Sequence, residues 1–595
     1  MTGLLVPLLT DPDPARAARE LHRGLAALDP PVRPRRIPQL LRQLPPPAGA
    51  QDTDRVREFA RQLVRTAELP TAVCVGVVLL ARFGTAQDVP VLRTLGLLRD
   101  LVPPVVSALD ALDRRTAAVV RLGDTDGVTG LRALAAVVEH TDSGSGADVD
   151  AGADAVRECL LALPRIAGSE TARRIAEAAG PAVGWDADPD PDPDPDPEPD
   201  VDRAGPVGGG IGPPVRRPQR GADPELTALL GVLLFRMTSR RGDRAEILSY
   251  PAAPYAYGVF ARDAGRLPPT LDHYALVLSA ADELRSGSGP LYPWRPGARE
   301  AVLAELESIL DRAAWRALLD GSGPGGEGSG GGVGGGAGED EGIEWRRRIE
   351  WARRSRLSRR SREGRVRGED GAGARLRIEV VERDPADPDV IEARILVDGR
   401  PVVPEYFGRG PANAPEYLLD RGLLRATAEP REVRLAEAYC SEGCCGALYV
   451  TIRRDGDQVR WYGWRCPAPP PSPLHTRELP ELRFDAAAYD AEVARAERDD
   501  SWTWPARRTA RLVVAALRDR PEPLERWGVR LSWAGTRFGN PEVTALSLLY
   551  DRGDGYDGQY LWLVPDDGAP PEERAAAVLE RLATEDPRTY GADGG

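Results

Sequence analysis

The chain reads as a multidomain protein, all-α through residue 320 and α+β with an antiparallel sheet beyond Arg375. Three observations predict this. Apolar residues recur at helical spacing up to about residue 184 and again over 223–320, the stripe that an amphipathic helix buries. Past Arg375 the period drops to two, as strands require. Two low-complexity tracts separate these regions, and 595 residues exceed what one core of ~100–200 residues needs.

The first region, 1–184, is expected to be a helical repeat domain. Val56, Phe59, Ala60, Leu63 and Val64 form one helical face, and Ala72 to Phe83 is apolar nearly all round, as a buried inner helix would be. Gly84-Thr-Ala-Gln-Asp88-Val-Pro-Val-Leu-Arg-Thr-Leu-Gly96 then opens another helical run. That segment resembles a HEAT-type repeat unit. The same rhythm continues through Leu101–Leu122, Leu131–Val138 and Cys159–Ala179, so the resemblance implies an irregular HEAT-like solenoid.

Residues 185–222 form an acidic linker. Alternating Asp-Pro from Asp188 to Asp200 removes every second amide donor and lines up like charges, which predicts an extended spacer. Nine acids between Asp186 and Asp202 account for most of the formal net charge of −14, and removing them leaves −5. The total charge therefore argues neither for nor against a nucleic-acid partner.

A second helical module is expected over 223–320. Asp223 is the expected N-cap with Pro224 at the first helical position, and Leu226, Leu229, Leu230, Leu233 and Leu234 supply a buried stripe. Helices are also expected over Leu271–Leu284 and Ala298–Leu319. Residues 321–374 read as a Gly-rich and then Arg-rich linker. Gly321-Ser-Gly323-Pro-Gly-Gly326 matches a dinucleotide fingerprint by letter, but no strand precedes it, so that match is false.

Eleven arginines lie between Arg346 and Arg367, interleaved with Trp345 and Trp351. Guanidiniums neutralise phosphates and tryptophans stack on bases, so Arg346, Arg347, Arg348, Arg353, Arg354, Arg356, Arg359 and Arg360 are the nucleic-acid candidates. The alternative is a charged helix on a protein surface, since no folded nucleic-acid module accompanies the run.

Over 375–595 an α+β domain is expected. Strands are predicted at Arg375–Val381 and Val390–Val397 with a tight turn at Asp398-Gly399, and another pair is predicted around Asp455-Gly456. Helices are predicted over Asp485–Glu497, Pro505–Leu517 and Pro570–Ala583, and strands over Val529–Ser532, Val543–Leu549 and Tyr560–Val564. Seven of the twelve tryptophans lie from Trp461 to Trp562, enough large aromatics to dominate this core.

Four of the six cysteines, Cys440, Cys444, Cys445 and Cys466, fall within 27 residues. A two-residue type I′ turn at Asp455-Gly456 would pair Ile452 with Val459 and Val450 with Trp461. Carried to the hairpin base, that register sets Cys445 opposite Cys466, with Cys440 and Cys444 in the adjoining loop. Four converging thiolates suit a closed tetrahedral Zn²⁺ site. The C-x3-C-C-x20-C spacing departs from paired CxxC knuckles, so a Cys445–Cys466 redox pair and plain structural cysteines stay open as alternatives.

Every basic residue is arginine, which excludes Walker A ATPases, protein kinases and pyridoxal enzymes, all of which need a lysine. The four histidines, His22, His140, His273 and His475, form no HExxH, and no GxSxG occurs. Met1–Thr10 lacks the basic start of a secretory signal, and the longest apolar run, Ala72–Ala81, is too short for a bilayer. A cytoplasmic location without membrane contact is expected.

Arg431-Glu-Val-Arg-Leu-Ala-Glu-Ala-Tyr-Cys-Ser-Glu-Gly-Cys-Cys-Gly-Ala-Leu-Tyr-Val-Thr-Ile452, Tyr489-Asp-Ala-Glu-Val-Ala-Arg-Ala-Glu497 and Trp502-Thr-Trp-Pro505 are similar to segments of a family of large actinobacterial proteins. That family combines HEAT-like N-terminal helical repeats with a C-terminal CxxxCCG-containing domain. The resemblance implies source and domain content and transfers no activity. The expected function is a cytoplasmic scaffold whose helical repeats bind a protein partner. A zinc- or thiol-dependent enzyme in the C-terminal domain, and nucleic-acid binding through 346–367, are the competing expectations.

Overall fold

The computed structural model describes residues 2–28, 32–41, 44, 47, 49–124, 129–143, 149–163, 166, 168–185, 223–239, 246–320, 345, 347–357, 359, 374–385, 391–438, 446–466, 479–537, 540–553 and 557–590. The Asp-Pro tract, the Gly-rich tract and Cys440, Cys444 and Cys445 lie outside these. The chain divides into two compact units. The first holds Met1–Ser239, Ala245–Pro268 and Pro293–Ala298, and the second holds the remainder.

The first unit is all helical among its described residues. It contains α1 (Thr2–Leu9), α2 (Pro14–Ala26), α3 (Ile37–Leu41), α4 (Ala50–Thr66), α5 (Pro70–Phe83), α6 (Val89–Leu95), α7 (Val102–Leu112), α8 (Arg114–Gly123), α9 (Thr129–Ser143), α10 (Val149–Leu161), α11 (Ser169–Val183), α12 (Pro224–Met237) and α13 (Ala253–Ala264). Capping chemistry sets several starts. Asp13, Asp113 and Asp223 each accept backbone N–H groups of the following turn, and Pro14 and Pro224 occupy first helical positions where no amide is needed.

Neighbours along the chain pack on one another, α4 on α5, α7 on α8, α8 on α9, and α11 on α12. The expected α4 stripe is buried against α5, whose own residues are buried nearly all round. Gly76 permits that approach: a β-carbon there would sit 2.9 Å from the Ala60 carbonyl oxygen and 2.8 Å from Val64 Cγ1. Buried charge is paired. Asp88, 1% exposed, receives Arg61 Nε at 2.7 Å and Nη2 at 3.1 Å, and its carboxylate also accepts the Thr85 N–H. Burial opposes ionisation of Asp88, but these bonds outweigh it and hold the carboxyl below its usual range. In α11, Arg173 and Arg174 share Glu177 and reach Asp110 on α7.

The second unit opens with α14 (Leu271–Ser286), α15 (Ala298–Leu310), α16 (Ala313–Leu319) and a helix over 347–357, α17. Then follow β1 (Leu376–Glu382), β2 (Ile391–Val397), β3 (Arg400–Pro401), α18 (Val402–Tyr406), α19 (Pro415–Leu418), β4 (Arg431–Glu437), β5 (Ala447–Asp455), β6 (Gln458–Arg465), β7 (Leu482–Asp485) and α20 (Ala486–Arg498). The chain closes with α21 (Pro505–Asp519), α22 (Glu522–Glu525), β8 (Val529–Arg537), β9 (Asn540–Asp551), β10 (Asp557–Val564) and α23 (Pro571–Thr584). The expected helical module over 223–320 is thus divided, α12 and α13 belonging to the first unit and α14 to α16 to the second. Periodicity shows that a helix has a face to bury, not which neighbour buries it.

Three antiparallel sheets form, in the orders β1-β2-β3, β4-β5-β6-β7 and β10-β9-β8. The first two share one core, in which Trp461 packs edge-on against Phe484 at 5.6 Å and Tyr489 at 6.3 Å. The third sheet has its own core with α21, α22 and α23. At the open edge of β1, Ile378 does not wait for another strand: its N–H donates to Glu492 Oε1 at 2.7 Å and its carbonyl accepts from Arg495, both on α20. Asp398 and Gly399 both take positive φ, 51° and 75°, between paired Val397 and Arg400, as a type I′ turn demands.

Two outcomes follow for the first unit. Gly76→Val should destabilise it by about 1–3 kcal/mol through overpacking at the α4–α5 crossing, whereas Gly123→Ala, with open space around it, should be neutral or gain up to about 1 kcal/mol; urea titration of both variants measures this. Burial pushes the Cys74 thiol up from 9.0 to about 11. The folded protein therefore holds that proton more tightly than the unfolded chain, and the resulting stability is fully present below pH 9 and lost as pH rises to about 11. Native Cys74 should resist iodoacetamide at pH 8 and react once unfolded, as mass spectrometry would show.

Candidate functional site

The β5–β6 hairpin is where the cysteines were expected to meet. Its turn is displaced by one residue from the expected position. Asp455 pairs with Gln458, leaving Gly456 and Asp457 as the two central residues, and Gly456 takes φ +63°, the requirement of a II′ turn at its first position. Ile452 therefore faces Trp461 rather than Val459. A further shift between Tyr449 and Thr451 sets Tyr449 opposite Arg465. Carried one step on, this register brings Cys466 level with Leu448, not with Cys445.

Cys466 is half-buried at the margin of the core shared by the first two sheets. Burial raises its thiol pKa, and the nearby Arg409 charge offsets part of the rise. The flanking strands close tightly. Ala438 N–H donates to the Gly446 carbonyl at 3.0 Å, and a β-carbon on Gly410 would meet the Glu437 carbonyl oxygen at 2.1 Å, so the 409–413 backbone lies directly on β4. Among the described residues no group of three or more His, Cys, Asp or Glu could hold a metal ion. The Zn²⁺ expectation falls on three cysteines outside them.

The Arg-rich segment becomes α17, and most of its described guanidiniums bond within the unit. Ile349, Trp351 and Ala352 are buried, and Trp351 Nε1 donates to the Glu382 carbonyl at 2.9 Å. Arg348 grips Asp384 with Nε at 3.0 Å and Nη2 at 2.8 Å and also bonds Asp272. Arg354 forks onto Glu382 at 3.2 and 2.7 Å. On the other side, Arg353 donates to the Leu319 carbonyl and to Glu350, while Arg356 and Arg359 face Asp320 and Asp311. Arg347 is half-buried, and Arg346 and Arg360 lie outside the described residues. The segment is thus a strut that joins α14 and α16 to the end of β1. Its arginine count signalled charge, but the burial of Trp351 is what shows the segment to be anchored.

Two further ionic constructions were not visible in the sequence. Arg394, on β2, is buried and donates to the Asp282 carbonyl at 3.1 Å and to Ser286 Oγ at 3.4 Å, with Glu392 at 3.5 Å and Glu283 at 3.9 Å. Glu283 accepts the Ser288 N–H at 2.6 Å, and its carboxylate lies against Gly287, where a β-carbon would displace it from this position. The second construction alternates guanidiniums and indoles. Arg354 lies 4.9 Å from the Trp504 ring, Arg507 lies 5.2 Å from Trp504 and 5.5 Å from Trp502, and Arg511 lies 4.5 Å from Trp502.

Each arginine of that ladder also carries a carboxylate. Arg507 bonds Glu416 at 2.5 and 2.9 Å, and Arg511 bonds Asp420 with two contacts of 2.8 Å and Asp500 at 2.7 Å. Burial opposes the Glu416 charge, but Arg507 prevails and holds its carboxyl below the ordinary range. The ladder crosses the seam between the two cores of the unit, since Trp502 belongs to one and Val513 and Leu517 of α21 to the other.

No known protein family, curated protein or solved structure matches the chain. Arg348→Met should cost about 3 kcal/mol, because it removes the two-pronged guanidinium contact from the buried Asp384 carboxylate. Arg425→Ala breaks an exposed pair with Glu497 and should cost less than about 1 kcal/mol. Chemical denaturation of the two variants side by side distinguishes the anchored arginine from the decorative one.

Proposed function

We propose that the chain is a cytoplasmic multidomain scaffold whose helical first unit binds a protein partner, with the second unit supplying a further recognition element. The observation that carries this reading is the turn after α6. Leu97 and Leu98 stand side by side there, 84% and 56% exposed, at a point where the neighbouring Leu92, Leu95 and Leu101 turn inward. Adjacent exposed leucines on a helical array are what a protein interface uses as anchors, because association removes their apolar surface from water.

We place the competing nucleic-acid reading through 346–367 second. Phosphate recognition needs displayed guanidiniums, and Arg348, Arg353 and Arg354 are engaged by carboxylates and carbonyls of the same unit. Among the described residues no helix is long and apolar enough to cross a membrane.

The double variant Leu97→Asp/Leu98→Asp tests the proposal. Affinity capture from the source cell, quantified by mass spectrometry, should lose a partner at least tenfold relative to wild type while circular dichroism stays unchanged. Equal recovery of every captured protein would overturn the assignment of this turn as the interface.

A further inference from the structure

Beyond the scaffold reading, the second unit contains hydrogen-bond donors that nothing among the described residues accepts. Arg353 and Arg356 lie three residues apart on one side of α17, and Arg359 follows at the same interval just past its end. Arg353 bonds the Leu319 carbonyl and Glu350. The next two are held less closely. Arg356 reaches Asp320 only at 3.9 Å, beyond hydrogen-bonding range, and its buried Nε has no acceptor. Arg359 is 1% exposed, makes one long bond from Nη2 to Asp311 at 3.3 Å, and leaves both Nε and Nη1 buried without acceptors.

Across from them, on α14, the Tyr274 side chain is wholly buried and its hydroxyl also has no partner. The charges of Arg359 and Arg356 both act on that hydroxyl, so the three groups share one electrostatic environment. Trp315 packs beside Tyr274, its ring 5.9 Å away. Guanidinium N–H groups only donate, and a phenol readily donates. An acceptor-only guest is what completes the set.

We propose that the wedge between α14, α16 and α17 binds a phosphate-class oxyanion through Arg356, Arg359 and Tyr274. A buried guanidinium with unmade bonds is costly, and one small oxyanion offers several acceptors to donors that no single carboxylate of the chain reaches. Asp311 and Asp320 are the competing acceptors. Both are substantially exposed, at 44% and 67%, and can yield to the anion by turning to solvent. Because Arg359 and Tyr274 are buried, the guest has to be compact: inorganic phosphate itself or the phosphoryl end of a monoester.

Equilibrium dialysis of the full chain with radiolabelled inorganic phosphate, and in a parallel arm with phenyl phosphate, tests the site at constant ionic strength in chloride. Saturable binding is expected, and the arm that saturates tells the free ion from a monoester. Tyr274→Phe preserves ring packing and removes a hydroxyl that has no partner among the described residues, so it should fold as wild type yet lower the affinity at least fivefold. Arg359→Met should lower it at least tenfold, and Arg359→Lys should recover part of that loss. Absence of saturable binding in both arms, or equal binding by wild type and Tyr274→Phe, would overturn the proposal.

Discussion

Every positive side chain in this protein other than histidine is a guanidinium, and the architecture depends on what that group can do. A guanidinium is planar, always charged and able to grip a carboxylate with two parallel bonds. The chain uses that fork wherever an element must be fixed to another. Arg61 ties α4 to the turn before α6, Arg174 ties α11 to α7, Arg348 and Arg354 tie α17 to β1, and Arg507 and Arg511 tie α21 to the α19 region. Several of these ties are buried. Their worth lies less in net stability, which desolvation erodes, than in the cost of any arrangement that leaves one partner unpaired.

This constraint explains why the acidic and basic residues read so differently along the chain. Carboxylates at helix starts are legible directly, because capping is a local act: Asp223 and Pro224 begin α12 as their order implies. Arginines act at a distance, and the residue that completes each fork lies 27 to 91 positions away in pairs such as Arg61–Asp88 and Arg511–Asp420. An arginine-rich run therefore reads as a nucleic-acid surface when its partners cannot be seen. The buried Trp351, flanked by apolar Ile349 and Ala352, was the readable sign that 347–357 is held by the protein.

Strands were legible by their alternation, and the exact register of β5 on β6 was not. The apolar face of β5 and β6 suits either of two turns one residue apart, since Asp-Gly and Gly-Asp both occur at 455–457. The protein takes the one that lets Gly456 carry the positive φ alone and sets Ile452 on Trp461, whose ring then meets Phe484 and Tyr489. Core packing thus decides a register that turn preference leaves nearly degenerate. The same limit hid β4, whose Val433 and Leu435 alternate plainly but find their sheet only through β5. The division of the region 223–320 was hidden for a related reason, as α14 is claimed by a buried arginine on β2, more than a hundred residues downstream.

The all-guanidinium character of these ties also decides which cellular chemistry can edit them. Acylating and alkylating enzymes that switch protein charge by capping side-chain amines find no lysine to act on. The forks at Arg61, Arg348, Arg507 and Arg511 are therefore closed to acetylation as a means of release. A cell that needed to loosen this molecule would have to modify the guanidinium itself, as methylation does by blocking its paired bonds, or displace or neutralise the carboxylate.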